Sequence, residues 1–207
     1  MTTHAYYHSK QKRFFDLILA CLLLFFLLPV LILICLLIFL TDSTPIIFRQ
    51  MRVGKNKQVF TLYKFRTMKN GSSLFQKKLK GLNEAPYPMF KIKNDPRFTR
   101  IGILLSHLGL DELPQILNII KGEMSFVGPR PLPVKESQQL DSTWDFRYKI
   151  KPGIISKWAL SPHRYASLES WKQLEKDQLQ HGSIFEDVKL ISIAINKVTF
   201  KRSLLTK

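Results

Sequence analysis

The 207-residue chain carries 32 Lys plus Arg against 15 Asp plus Glu, a net charge of +17, and two cysteines. That length gives room for one ordinary domain plus a membrane segment. The charge points to an anionic partner of one of three classes: nucleic acid, a lipid surface or a phosphorylated small molecule.

The first landmark is Lys12-Arg13-Phe14-Phe15-Asp16, which runs into an almost purely apolar stretch from Leu17 to Leu40. As a helix its 24 residues measure about 36 Å, enough to cross a bilayer core of about 30 Å. Cys21 and Cys35 both fall inside it, about 21 Å apart on a helix and beyond disulfide reach. The run exceeds a signal-peptide core and lacks a small-residue cleavage site, so no cleavable signal is expected.

Two features argue against a plain span. Pro29 removes a backbone donor in mid-run and should bend the helix. Basic residues also flank both ends, Lys10, Lys12 and Arg13 before and Arg49, Arg52, Lys55 and Lys57 after, whereas a spanning helix concentrates them on one side. The economical arrangement is a helix that enters the cytoplasmic leaflet, breaks at Pro29 and returns to the same face. Asp16, one turn from Arg13, then reads as an interfacial anchor through an i to i+3 ion pair.

After Thr44-Pro45 the pattern turns to β. Ile46-Ile47-Phe48 and Val59-Phe60-Thr61-Leu62-Tyr63 flank the polar loop Gly54-Lys55-Asn56-Lys57, a hairpin signature. The second strand continues into Lys64-Phe65-Arg66-Thr67-Met68, which places Lys64 and Arg66 on one face. Residues 69–88 read as a variable excursion whose Lys77, Lys78 and Lys80 meet solvent or lipid headgroups. Asn94-Asp95-Pro96-Arg97 opens a turn before a short apolar helix that ends at Gly109.

Leu110-Asp111-Glu112-Leu113-Pro114-Gln115 begins the next element, in which Leu110, Leu113, Leu117 and Ile120 follow helical spacing as a core face. The chain closes on a basic amphipathic helix with Val188, Ile191, Ile195 and Val198 as its apolar stripe and Lys189, Lys197, Lys201 and Arg202 as its cations.

The adjacent carboxylates Asp111 and Glu112 are the chemically distinctive pair. At a helix start the free N–H groups and the positive dipole end favour an ionised Asp111 with a low pKa. Glu112 beside it is repelled unless a divalent cation or nearby Arg and Lys compensate. Two carboxylates plus substrate phosphates is a common way to hold Mg²⁺. Arg97, Arg100 and Arg130 offer planar forks for phosphate oxygens if their loops converge. A bare Asp-Glu dipeptide can equally be a helix cap and its decoration.

The ordered set is what specifies more. Lys12-Arg13 with Asp16 and Pro29, Tyr63-Lys64-Phe65-Arg66-Thr67-Met68, Asp95-Pro96-Arg97-Phe98-Thr99, Leu110-Asp111-Glu112-Leu113-Pro114-Gln115, Ser125-Phe126-Val127-Gly128-Pro129-Arg130-Pro131 and Lys151-Pro152-Gly153-Ile154 together resemble the small monotopic phosphoglycosyl transferases of bacteria. The resemblance runs from Lys12 to about Arg202. It implies an α+β, mainly α fold: a Pro-broken re-entrant membrane helix over residues 1–44, then a catalytic domain over residues 45–207 at the cytoplasmic face of the bacterial inner membrane.

It further implies transfer of a sugar 1-phosphate from a UDP-sugar to polyprenyl phosphate, usually undecaprenyl phosphate, with release of UMP, as the first membrane step of glycan assembly. Asp111 would be the covalent nucleophile and Glu112 the Mg²⁺ ligand or the residue assisting acceptor deprotonation. Gly128, Pro129, Arg130 and Pro131 would recognise the nucleotide, and Lys12, Arg13, Asp16 and Pro29 would set the membrane element. By their own chemistry Arg97 and Arg100 are candidates for substrate phosphate, and the face of Lys64 and Arg66 for phosphates or lipid headgroups, or else for a solvated strand edge. Downstream glycosyltransferases or a second copy of the chain are the implied protein partners.

There are two departures. The family often has Ser before the break proline, where this chain has Leu28. After Ile154 it tends to continue Thr-Gly-Trp-Ala-Gln, where this chain reads Ile155-Ser156-Lys157-Trp158-Ala159-Leu160. An inactive scaffold of the same family is one alternative. A membrane tether for nucleic acid or anionic lipid is another, but it would need aromatics interleaved with the basic residues. Most Phe instead sit in apolar runs or the hairpin, so no nucleic-acid partner is expected.

Overall fold

The computed structural model describes residues 3–42 and 44–205. A short helix α1 (Thr3–Tyr7) leads into the long α2 (Lys10–Asp42). The hairpin expected from alternation follows: β1 (Ile47–Val53) pairs antiparallel with β2 (Val59–Phe65), Ile47 opposite Phe65 and Val53 opposite Val59. Its loop closes with Gly54 N–H donating to Gln58 O at 2.8 Å. The excursion contains one helical turn, α3 (Ser72–Phe75).

Next comes α4 (Arg100–Leu108), capped by Thr99 Oγ1, which accepts from Gly102 N at 3.0 Å. A 3₁₀ segment (Leu110–Gln115) and α5 (Ile116–Lys121) follow, and Gly122 closes α5. Then β3 (Ser125–Val127), β4 (Leu132–Pro133) and the single turn α6 (Val134–Ser137) lead to β5 (Gly153–Ile155) and a second turn, α7 (Lys157–Leu160). Helices α8 (Leu168–Gln180) and α9 (Ile184–Leu205) end the chain. The hairpin gains β4 along β1, in the order β2-β1-β4, and β3 runs parallel to β5. Pro133, which lacks an N–H, sits in that short edge strand.

Helix α2 is assigned without interruption through Pro29. Its 33 residues, about 50 Å at 1.5 Å per residue, touch the globular body near both ends. Ala20 is buried in a cluster with Phe60, Leu62, Ile116, Ile119 and Phe126, and Ile34 and Ile38 in another with Phe65 and Leu105. Between these contacts Phe25, Phe26, Leu28 and Val30 are exposed. By length and composition α2 could cross a membrane.

The polar ends of α2 are held differently from expectation. Asp16 pairs not with Arg13 but with Lys12, Nζ to Oδ1 at 2.9 Å, and accepts from Ser125 Oγ at 3.1 Å and Phe126 N at 3.3 Å. Arg13 turns instead to the end of α5, donating to Ile119 O at 2.6 Å and Ile120 O at 2.8 Å. The unpaired carbonyls of a helix C-terminus attract a cation there. Lys12 also reaches Asp187 Oδ2 of α9 at 2.6 Å. At the far end Arg66 donates to Asp42 O.

Two expected core faces hold only in part. Leu110, Leu113 and Ile120 pack partly buried against the core, but Leu117 is exposed, and the buried positions after the dyad are Pro114, Gln115, Ile116, Asn118 and Ile119. The 3₁₀ winding around Pro114, at three residues per turn, rotates the face away from the α-helical spacing. Among the described side chains of α9 the buried ones are Asp187 and Leu190, with Ile191 partly so, while Val188 and Ile195 are exposed. The ion pair to Lys12 fixes which side of α9 turns inward. The side chains of Lys201 and Arg202 lie outside the described residues.

Candidate active site

The dyad stands just past a sharp turn. Gly109 adopts φ 69°, the left-handed region that favours glycine, ending α4 and starting the 3₁₀ segment in one residue. β2 packs alongside that segment and delivers Lys64, whose Nζ lies 2.5 Å from Glu112 Oε1 and 4.0 Å from Asp111 Oδ2. Arg130 Nη1 approaches the same Glu112 oxygen at 3.8 Å. A small cleft is lined by Arg52, Leu62, Lys64, Glu112, Gln115 and Arg130 among others.

This environment splits the two carboxylates. Burial pushes Asp111 up to about 6, with Glu112 adding to the shift and Lys64 and Arg130 opposing it. For Glu112 burial also pushes upward, but Lys64, Arg130 and Arg52 outweigh it and the group falls to about 2. The low Asp111 expected from a helix cap is therefore corrected. Gly109, not Asp111, holds the cap position, and a six-residue 3₁₀ segment offers little dipole against the burial. Asp111 is thus the first of the pair to take up a proton as the pH falls, while Glu112 stays ionised.

The loop bearing Arg130 is fixed through its backbone. Gly128 N donates to Ile155 O at 3.0 Å and Gly153 N to Pro129 O at 2.9 Å. A Cβ on Gly153 would lie 2.1 Å from Gly128 N, so this close crossing admits only glycine. Arg52 Nη1 donates to Pro131 O at 2.8 Å. The Arg130 guanidinium rests 5.9 Å from the Trp158 ring.

Of the expected site residues, Asp111, Glu112, Lys64, Arg130 and Pro131 come together, with Gly128 and Pro129 shaping the loop. Arg66 departs from Lys64: β2 ends at Phe65, and Arg66 is buried against Asn70 Oδ1 at 2.8 Å and the end of α2. Arg97 forms a two-pronged pair with Asp95, Nε to Oδ1 at 2.8 Å and Nη2 to Oδ2 at 2.5 Å, which holds Asp95 below its usual range. Arg100 is exposed at the start of α4.

Sequence reasoning missed Arg52 and Gln115 in the cleft, and Lys91 and Trp158 near it. Burial, then Arg130, brings Arg52 down to about 10. Burial with Arg130 and Arg164 lowers Lys91, against Asp111 and Asp95. A polar alternation in β1 signals Arg52 only weakly, and nothing local signals Lys91. The departures after Ile154 do not insert a cation into the cleft: Lys157 pairs with Asp177 at 2.8 Å, and Ser156 caps α7.

Among the described residues there is no group of three or more metal-ligating side chains. A divalent cation here would draw on Asp111 and Glu112 and take its remaining oxygens from substrate phosphates and water, which suits Mg²⁺.

A family model described as bacterial sugar transferase matches residues 7–201. The chain is 37% identical over 197 residues to the exopolysaccharide production protein ExoY of Sinorhizobium fredii, covering 93% of this chain and 87% of that protein. It is 35% identical to the galactosyl transferase CpsE of Streptococcus agalactiae, covering 96% of this chain and 44% of that protein. With the UDP-glucose:undecaprenyl-phosphate glucose-1-phosphate transferase of Escherichia coli the identity is 34%, covering 90% of this chain and 39% of that protein. The chain thus spans most of the first relative and less than half of the other two.

Proposed function

The chain belongs to the bacterial sugar transferase family and is a transferase, and from that membership we propose that it moves a sugar 1-phosphate from a UDP-sugar to polyprenyl phosphate, undecaprenyl phosphate being the acceptor named for the Escherichia coli relative. The observation that carries this reading is the convergence of Lys64 and Arg130 on the split Asp111–Glu112 pair. Cations beside a carboxylate nucleophile are what attack on a charged phosphate requires.

In the first half-reaction an ionised Asp111 oxygen forms a bond to the sugar-bearing phosphorus. The phosphoanhydride P–O bond breaks and UMP leaves with that electron pair. Lys64 and Arg130 offset the charge gathering on the phosphate oxygens. In the second, an oxygen of the acceptor phosphate attacks the same phosphorus, and Asp111 departs as carboxylate, leaving a polyprenyl diphosphate sugar. Asp111 and Glu112 would hold Mg²⁺, which when bound neutralises phosphate charge. Glu112, kept ionised by Lys64, orients that lysine between the two carboxylates.

The pattern along α2 supports a monotopic placement at the cytoplasmic face of the inner membrane. Ala20 and Ile38, about 27 Å apart along the helix, both rest on the one globular body, while the stretch around Pro29 is exposed and apolar. A helix crossing the bilayer upright would drag that body into hydrocarbon. A re-entrant arrangement, in which α2 lies in one leaflet and bends at Pro29, would present the Pro29 region to lipid and keep both ends at one face. An impermeant label should therefore reach cysteines replacing Thr3 and Asn56 from the same side of the membrane, and labelling from opposite sides would exclude re-entrance.

The direct test is UMP release by protein in detergent with Mg²⁺, polyprenyl phosphate and a panel of UDP-sugars. Turnover of at least one sugar supports the reading, and absence of UMP with every sugar removes it in favour of the inactive scaffold.

A further inference from the structure

We infer that the buried Arg147–Glu175 pair is a positioning device for Arg130, acting on the donor-binding loop from behind. The inference rests on the reading of Arg130 as a nucleotide-phosphate residue. Arg147 and Glu175 are 3% and 0% exposed. The Arg147 fork meets both carboxylate oxygens, Nε to Oε2 and Nη2 to Oε1, each at 3.0 Å. Trp171 locks the arrangement: its Nε1 donates to Glu175 Oε1 at 2.9 Å, and its ring lies 5.0 Å from the Arg147 guanidinium.

The guanidinium so fixed has a second Nη2 hydrogen to give, while its Nη1 is buried with no hydrogen-bond partner. Arg147 Nη2 donates to Arg130 O at 2.7 Å, while Arg52 holds the next carbonyl, that of Pro131. Two successive carbonyls of the loop are thus pinned by two arginines, one of them immobilised in the core. Buried ion pairs are seldom the most stable way to fill a core, since apolar replacements often fold as well or better. What an apolar pair could not supply is a charged N–H aimed at Arg130 O. Its consequence is to set how the Arg130 side chain stands between Glu112 and Trp158.

Arg147→Lys separates positioning from packing, because lysine can keep the charge opposite Glu175 but loses the fork that serves Arg130 O at the same time. In steady-state UMP-release kinetics the variant should raise the KM for UDP-sugar by about tenfold, with the KM for polyprenyl phosphate unchanged. In an Arg130→Ala background the same change should add nothing, because the residue it positions is gone. An unchanged donor KM in Arg147→Lys, or an equal rise in both backgrounds, overturns the inference. Should Arg147→Lys not fold, Glu175→Gln is measured in the same two backgrounds under the same criteria. Arg130→Ala with a normal donor KM would remove the nucleotide reading of Arg130 and this inference with it. A defect in Arg130→Ala without one in Arg147→Lys would remove the inference alone.

Discussion

Asp111→Asn should reduce UMP release by about 10³-fold or more, the scale of losing a covalent nucleophile, and should leave no phosphosugar adduct on the protein. Asparagine has the shape of aspartate but lacks the charge that attacks phosphorus. Donor binding should survive, because Lys64 and Arg130 remain and one negative charge facing the phosphates is gone. Intact-protein mass after incubation with UDP-sugar alone reads the adduct, and full turnover in the variant would remove Asp111 from the reaction. The same residue sets a pH limb. With Asp111 pushed up to about 6 by burial, the wild-type kcat/KM should fall tenfold per unit below that value as the nucleophile takes up a proton. Lys64 is the largest influence holding Asp111 down, so Lys64→Met should move the limb to higher pH.

Lys12→Met should destabilise the fold strongly. Lys12 is 3% exposed and sits between Asp16 and Asp187, which are 2% and 1% exposed. Tyr6 OH donates to Asp187 Oδ2 at 2.7 Å, and burial followed by that bond drives the phenol far above its usual range, so it stays a donor. Burial likewise raises Asp187, with Lys12 opposing. Without the lysine two buried carboxylates lose their shared ion-pair partner, a loss of about 3–5 kcal/mol out of a typical total of about 5–15 kcal/mol. For a chain of this size that is about 10 °C in Tm. Asp187→Asn in the same background should recover part of the loss by removing one charge. A Tm unchanged in Lys12→Met, measured in detergent, would show that the cluster contributes nothing.

Much of the site was legible because its signals are local. The hairpin announced itself through alternation and a Gly-containing loop, and Gly109 marked the end of α4 before the dyad. What was not legible depends on pairs far apart in the chain. Lys12 meets Asp187 across 175 positions and Arg147 meets Glu175 across 28, and nothing in either neighbourhood names the other. Asp16 was read as an interfacial anchor paired with Arg13, a partner chosen by proximity in sequence; the residue is buried, and Lys12 won over Arg13 once α5 offered Arg13 two carbonyls. The Asp111 shift was missed for the same reason. A helix-start argument sees the segment's own N–H groups, whereas the shift is governed by how deeply the surrounding body buries the carboxyl.

The two consecutive attachments near the start of α2 carry a mechanical meaning. Arg13 grips the end of α5, which follows the dyad, and Asp16 grips Ser125 and Phe126, which precede the Arg130 loop. Both halves of the cleft are therefore bolted within one turn of the apolar helix. On the monotopic placement proposed above, the elevation of the dyad above the headgroups would be a property of the fold, and a lipid-borne phosphate would be met at a fixed height. The bilayer surface would then serve as the bench against which the cleft is aligned.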